Sequence, residues 1–138
     1  MTYRIARQFT FSASHQLSKL PEGHKCKRLH GHNYQVTLIF KGEGLDQWDM
    51  VRDFDSLSQF AAWIDTKLDH RHLNDVLTDR REAHAGPLGH VRAAAHDPIE
   101  PTSENLARFI FETWAHVWGD LEAVRVSEGL DTWAEFTR

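Results

Sequence analysis

The sequence predicts an α+β fold in which an antiparallel β-sheet is covered on one face by two helices. Two long segments near the N-terminus alternate between apolar and polar residues, and shorter alternating segments return near the C-terminus. Between them lie two segments with apolar residues at helical spacing. The chain has 138 residues, of which 41% are hydrophobic. Since no stretch is rich in proline, glycine and serine, we expect a single domain over residues 1–138.

The strands are predicted from alternation of apolar and polar side chains. Residues 3–15 form the first strand, with Ile5, Phe9, Phe11 and Ala13 on one side. Residues 30–42 form the second, and one parity of this strand consists of His30, His32, Tyr34, Val36, Leu38 and Phe40. Residues 48–54 are expected to form a third strand after a turn. Residues 123–128 alternate again, and residues 133–136 are expected to form a last short strand.

Both helices are predicted from apolar stripes that follow a start signal. Residues 53–70 form the first helix, with Asp53 as a suitable N-cap. Its stripe consists of Leu57, Phe60, Ala61, Ile64 and Leu68. The second helix begins at Pro101 and Thr102, and its stripe consists of Leu106, Phe109, Ile110, Trp114 and Val117.

Composition excludes several classes of function. The formal net charge of −4 provides no basic surface for a polynucleotide, so nucleic-acid binding is not expected. The sequence contains no run of eighteen apolar residues, which a membrane-spanning helix would need, and its N-terminus lacks the apolar core of a signal peptide. The single cysteine is inconsistent with a disulfide framework and fits a reducing compartment. We therefore expect a soluble, cytoplasmic protein.

Three histidines are predicted to form a metal site. If the first two strands pair antiparallel, His15 at the end of one lies beside His30 and His32 at the start of the other. Three neutral imidazoles with a fourth position open to water or substrate are typical of catalytic zinc, whereas structural zinc usually has four protein ligands. We therefore predict that these histidines bind Zn²⁺. The alternative is that they are half-buried strand residues without a metal.

Cys26 lies in the long connection between the first two strands, over residues 16–29. Long loops of this kind are often functional. Its neighbours Lys25, Lys27 and Arg28, together with a nearby metal, would favour the thiolate, which can act as a base or nucleophile. The alternative is a small buried cysteine beside solvated charges.

Asp69 and His70 form a second candidate for proton transfer. A carboxylate next to an imidazole can fix its tautomer, so that the ring can move a proton. Adjacent aspartate and histidine residues are also common at the C-terminal ends of helices. Spacing alone therefore leaves open an ordinary surface pair.

Several short motifs, taken in order, give a resemblance to a known family. The chain resembles the 6-pyruvoyl-tetrahydropterin synthase and 6-carboxytetrahydropterin synthase superfamily over nearly its whole length. No single motif is decisive, but the ordered set is specific. It consists of FSASH at 11–15, CKRLHGHNY at 26–34, VRDF at 51–54, LDHRHLN at 68–74, PTSENLA at 101–107 and Glu128.

The resemblance implies a role for each matching residue. The zinc ligands would be His15, His30 and His32, the catalytic cysteine would be Cys26, and Asp69 with His70 would complete the proton-transfer machinery. Glu128 would anchor the pterin, because a carboxylate can accept adjacent ring N–H groups bidentately. Thr102 and Glu104 would make further substrate contacts, although both are also good helix-start residues.

The resemblance also implies a fold, an assembly and a reaction. The family fold is the tunnelling fold (T-fold), and its members assemble into rings, as hexamers or other homo-oligomers, with active sites at subunit boundaries. Three residues separate Cys26 from the HGH pair, as in the branch that feeds queuosine and related deazapurines. That branch converts 7,8-dihydroneopterin triphosphate to 6-carboxy-5,6,7,8-tetrahydropterin and releases acetaldehyde and triphosphate. The alternatives are a pyruvoyl synthase, which retains the side chain, and a zinc-binding module without turnover.

Two segments depart from the family pattern. The residues after Glu128 read GLDTWAEF, where the family commonly has threonine and a run of small residues. Residues 79–100 are longer than the usual link between the helices and could change the rim of the substrate pocket. Its three histidines, which could bind metal, more simply decorate a polar surface loop: His84, His90 and His96.

Overall fold

The computed structural model describes residues 1–77 and 99–138. Within these ranges the main elements run in the order β1 (Tyr3–His15), β2 (His30–Gly42), α1 (Ser58–Lys67), β3 (Arg71–His72), α2 (Ser103–Trp114), β4 (Leu121–Ser127) and β5 (Ala134–Thr137). Residues 73–77 are also helical. The strands form one sheet in the spatial order β3-β1-β2-β4-β5.

The sheet is antiparallel except at one edge. β1 and β2 pair along their whole length, from Tyr3 opposite Gly42 to His15 opposite His30. β4 pairs antiparallel with β2, and β5 with β4. The two-residue β3 lies parallel to β1. The predicted α+β fold is thus confirmed, and β3 is an addition, because two residues are too short to show an alternation.

Both helices pack on the same face of the sheet, which we term the helix face. Phe9 of β1 packs edge-on against Phe60 of α1, with ring centroids 4.9 Å apart. Phe136 of β5 packs against Phe111 of α2 at 5.3 Å. The same face buries the apolar parity of β2 fully, at Tyr34, Val36, Leu38 and Phe40. The other side, which we term the open face, carries ion pairs such as Arg125–Glu135.

The predicted cap residues begin two helical segments. Asp53 accepts a hydrogen bond from the amide of Asp55, at the start of a 3-10 turn over Phe54–Leu57. Thr102 caps α2 by accepting from the amide of Asn105. One member of the predicted stripe is wrong, because Val117 is 46% exposed. α2 ends at Trp114, and Trp118 is buried instead of Val117.

The predicted third strand over residues 48–54 is also wrong. Its first part is a turn, in which the Asp46 carboxylate accepts from the amides of Trp48 and Met50. Asp49 adopts a left-handed backbone, with φ of 58°. Local hydrogen bonds from an aspartate to the backbone thus override the apolar alternation.

In the described part of the chain, no helix has the length and apolar character needed to cross a membrane.

Candidate functional site

His15, His30 and His32 converge at one end of the β1–β2 pair, and we term them the histidine cluster. The antiparallel register sets His15 opposite His30 and Ala13 opposite His32, so the three side chains share the helix face. The ring centroids lie 4.6, 5.1 and 5.0 Å apart. One nitrogen from each ring lies within 4.8 Å of the others. The predicted convergence is therefore present.

Backbone carbonyls fix two of the three rings. His15 Nδ1 lies 2.8 Å from the carbonyl oxygen of Pro101, and His30 Nδ1 lies 2.6 Å from that of Arg28. A carbonyl can only accept, so both Nδ1 atoms carry a proton, and in the neutral form of each ring Nε2 then presents a lone pair. Outer partners of this kind orient histidine ligands in metal sites.

The nitrogen atoms that face the centre of the cluster lack ordinary partners. His15 Nε2 and His30 Nε2 lie 3.0 Å apart, and two facing lone pairs repel unless a cation or a proton lies between them. His32 Nε2 is buried without a hydrogen-bond partner among the described residues. Two nitrogens of one tetrahedral zinc lie about 3.3 Å apart at ordinary zinc–nitrogen distances. The cluster therefore fits a divalent metal ion.

His15 is the fully buried member of the cluster. Burial lowers the pKa of its imidazole below the ordinary value, and the bond to the Pro101 carbonyl and the charge of Glu128 offset this only in part. The ring is therefore neutral at neutral pH, which is the form that binds metal.

Glu128 and Tyr34 border the cluster on the helix face. The Glu128 oxygens lie 3.6 Å from His32 Nε2 and 3.9 Å from His15 Nε2. These distances are too long for hydrogen bonds, yet the negative charge would favour a cation in the cluster. The Tyr34 hydroxyl lies 3.2 Å from His15 Nδ1. Burial raises the pKa of Tyr34, so its phenol remains neutral.

Cys26 is a free, half-buried cysteine in a 3-10 turn over Lys25–Lys27. His24 caps this turn by accepting from the Cys26 amide at 3.1 Å. The Cys26 carbonyl accepts from the amide of Leu17 at 3.0 Å. That contact links the turn to a residue two positions beyond His15, so the cysteine lies on a loop fastened to the end of β1.

Asp69 and His70 form the predicted pair at the sheet edge beside β1. Asp69 Oδ1 accepts from the Ser12 amide at 2.9 Å, and its Oδ2 lies 2.8 Å from His70 Nδ1. Two hydrogen bonds lower the pKa of the Asp69 carboxyl below its ordinary value: the one from the Ser12 amide has the larger effect, and the one from His70 the smaller. The carboxylate is therefore ionised at neutral pH and can fix the proton of the ring on Nδ1.

The same pair lies at the β3 edge of the sheet, beside Ser12 of β1. His70 has a left-handed backbone with φ of 57°, which costs about 1–3 kcal/mol and often occurs at functional sites. Its side chain is 83% exposed and borders an open pocket of about 440 Å³ with residues 12–14 and 31–33. Ser12 donates to Asn33 across the open face. Because side chains alternate along a strand, the cluster points to the helix face, whereas Ser12, Ser14 and Asn33, which line the pocket beside His70, point to the open face.

The remaining predicted residues divide into two groups. Thr102 makes the cap described above, and Glu104 is exposed in the first turn of α2. Both lie just after Pro101, whose carbonyl contacts His15. The three histidines of the long link lie outside the described residues: His84, His90 and His96.

Comparison with known proteins identifies the family. The family model described as 6-pyruvoyl tetrahydropterin synthase matches residues 4–138. The chain belongs to the 6-pyruvoyl tetrahydropterin synthase family. An Archaeoglobus fulgidus protein, provisionally named 6-carboxy-5,6,7,8-tetrahydropterin synthase, is 31% identical over 129 residues, covering 94% of this chain and 90% of that protein. The 6-carboxy-5,6,7,8-tetrahydropterin synthase of Haemophilus influenzae is 29% identical over 121 residues, covering 83% of each chain.

Solved structures of the family share the fold. The 6-pyruvoyl tetrahydropterin synthase of Caenorhabditis elegans superimposes with a TM-score of 0.76, covering 100% of this chain and 96% of that chain, at 24% sequence identity. The T-fold predicted from the motifs is therefore confirmed.

Several contacts around this family site could not be found from the sequence. The carbonyls of Pro101 and Arg28 orient the ligands, but a backbone carbonyl is present at every residue and has no sequence signature. Tyr34 was assigned only to the apolar parity of β2, although its hydroxyl reaches His15. The structure explains why glycine occupies position 31, because a Cβ there would lie 3.1 Å from the Ala13 carbonyl oxygen.

Replacing His32 with alanine should greatly weaken the binding of a divalent metal ion by the histidine cluster. The change removes the nitrogen that is buried without a partner and leaves two of the three ligands. Loss of a residue that only hydrogen-bonds to a metal ligand typically reduces metal affinity about 10- to 100-fold. Because His32 would itself be a ligand, we expect a larger fall in affinity. Equilibrium dialysis with zinc measures the effect, and His116→Ala, an exposed histidine after α2, is the control. Equal zinc affinity in the two variants would contradict the assignment.

Proposed function

We propose that the protein is a zinc-dependent 6-carboxytetrahydropterin synthase. In this reaction 7,8-dihydroneopterin triphosphate and one water are converted to 6-carboxy-5,6,7,8-tetrahydropterin, with release of acetaldehyde and triphosphate. The observation that carries the proposal is the histidine cluster, with its inward lone pairs and the bordering carboxylate of Glu128. Relatives named for this activity and the three-residue interval after Cys26 favour the carboxy branch.

His15, His30 and His32 would hold Zn²⁺, leaving one coordination position for the substrate. The ion held by these residues would supply a Lewis acid for the side-chain oxygens of the substrate, which would ease proton removal from the neighbouring carbon. Glu128 would accept the adjacent N–H groups of the pterin ring bidentately. Thr102 and Glu104, which follow Pro101 at the start of α2, would contribute further contacts to the substrate.

Cys26 would act as the base. Lys25 and Lys27 lie on either side of it in the sequence, and the thiolate is the form of cysteine that can accept a proton. It would remove a proton from the substrate side chain, and the Asp69–His70 pair would deliver or remove the second proton. Elimination of triphosphate and cleavage of the carbon–carbon bond then follow from the carbonyl that forms.

We infer that the Asp69–His70 pair serves the site of a neighbouring subunit. The cluster points to the helix face of the chain, whereas His70 borders a pocket that includes the open-face residues Ser12, Ser14 and Asn33. A proton-transfer residue must come within hydrogen-bond reach of the reacting group. A homo-oligomeric ring with sites at subunit boundaries, such as a hexamer, satisfies this requirement and also covers the open sheet edges at β3 and β5.

The proposed enzyme would work in the cytoplasm, in queuosine or related deazapurine biosynthesis. A reducing compartment keeps its single cysteine as a free thiol.

Product analysis tests the proposed reaction. The zinc-loaded protein is incubated with 7,8-dihydroneopterin triphosphate, and acetaldehyde, triphosphate and pterins are measured. The proposal predicts acetaldehyde and 6-carboxy-5,6,7,8-tetrahydropterin in equal amounts. A product that retains the three-carbon side chain would identify a pyruvoyl synthase instead, and absence of turnover with zinc bound would identify a non-catalytic module.

A further inference from the structure

Asn74 is the last residue of the LDHRHLN motif. Its side chain makes hydrogen bonds whose role is explained neither by the motif nor by the match to the family. We propose that Asn74 is a positioning residue that fixes the first residues of the loop carrying Cys26. This loop, residues 16–29, is termed the Cys26 loop. The inference rests on the function proposed above, because positioning concerns catalysis only if Cys26 is the base.

The side-chain amide of Asn74 grips one residue at two points. Its Oδ1 accepts from the amide of Gln16 at 2.9 Å, and its Nδ2 donates to the Gln16 carbonyl at 2.9 Å. One side chain thus satisfies both main-chain groups of Gln16, as a neighbouring strand would. Gln16 directly follows His15, at the point where β1 ends and the Cys26 loop begins.

Further hydrogen bonds connect the start of the Cys26 loop to the cysteine itself. The amide of Leu17, next to Gln16, donates to the Cys26 carbonyl at 3.0 Å. Ser18 then donates to the Glu100 carboxylate at 2.5 Å. Residues 16–18 are therefore held from both sides, and the turn around Cys26 is fastened to them. The path from Asn74 to Cys26 passes through two residues, Gln16 and Leu17, and two sets of hydrogen bonds.

Asn74 is itself well placed to act as an anchor. It follows β3, which pairs with β1 at Ala13 and Ser14, and His72 Nδ1 lies 3.0 Å from the Ser14 hydroxyl. A base must keep its alignment with the carbon that it deprotonates, and a misplacement of about 1 Å can reduce a rate about 100-fold. A rigid connection from the sheet edge to the loop provides that alignment.

The substitution Asn74→Asp tests the proposal. Aspartate keeps the shape, but its second oxygen cannot donate to the Gln16 carbonyl and repels it. We expect kcat to fall about 100-fold. KM and zinc content should change little, because Asn74 is neither a proposed substrate contact nor a proposed metal ligand. Cys26 is the only cysteine, so its alkylation rate with iodoacetamide reports directly on the loop and should rise. Gln59→Glu, at an exposed site on α1, introduces the same charge and should behave as the wild type.

The controls separate this inference from the proposed function. Asn74→Ala removes both hydrogen bonds without adding charge, and it should show the same faster alkylation. Faster alkylation in both variants, in a protein that makes no pterin product, would support the anchor and overturn the proposed reaction. Unchanged alkylation and kcat in folded variants would overturn the anchor. Failure of both variants to fold would also overturn it, because Asn74 would then serve stability.

Discussion

Replacing Cys26 with alanine should reduce turnover of 7,8-dihydroneopterin triphosphate by about 100- to 10,000-fold, the range over which a positioned base contributes to catalysis. Zinc content should remain that of the wild type, because the cluster consists of three histidines from β1 and β2. Steady-state kinetics and metal analysis of the same preparation give the two readouts. The Cys26→Ser variant should be similarly slow, because a hydroxyl is far less easily ionised than a thiol.

Two outcomes would contradict this account of Cys26. Normal turnover in Cys26→Ala would show that another group removes the proton. Loss of zinc from that variant would mean that the thiol is a metal ligand, although the Cys26 sulfur is absent from the group of close ligand atoms. The site would then be closed by four protein ligands, as is typical of structural zinc.

Mixing two inactive variants should restore activity if the site lies between subunits. Cys26→Ala and His70→Ala each lack one part of the machinery, so each homo-oligomer should be nearly inactive. In ring oligomers reassembled from equal amounts of both, about a quarter of the sites should combine an intact Cys26 with an intact His70 from the neighbour. Turnover after joint unfolding and refolding measures the recovery.

The control for this mixing experiment is each variant refolded alone. Recovery of activity only in the mixture supports a shared site. Absence of recovery, with mixed oligomers demonstrated by mass spectrometry, would show that His70 and Cys26 act within one chain.

The parts of the fold that follow a long period were predictable from the sequence. β1 and β2 each show thirteen residues of alternation, and the end points predicted for both strands agree with the structure. A register fixed over that length also brought His15 beside His30 and His32. Shorter signals were less reliable, because the Asp46 turn replaced the strand expected over residues 48–54.

Other features of the candidate site depend on the path of the chain rather than on local pattern. β3 is too short to show a period, yet it places Asp69 and His70 at the edge of the sheet. The face on which His70 lies therefore could not be derived from the adjacency of the two residues. The Pro101 carbonyl reaches His15 across 86 positions of sequence, and the clamp between Asn74 and Gln16 spans 58. Contacts of such range require the folded chain.

The most direct test of the zinc site is a diffraction experiment at the zinc absorption edge on crystals of the zinc-loaded protein. We expect one anomalous peak about 2.0–2.1 Å from the Nε2 atoms of His15, His30 and His32. The fourth position should be occupied by water or substrate and not by a protein atom. A peak located at other residues, or histidine rings that point away from it, would contradict the assignment of the histidine cluster as the zinc site.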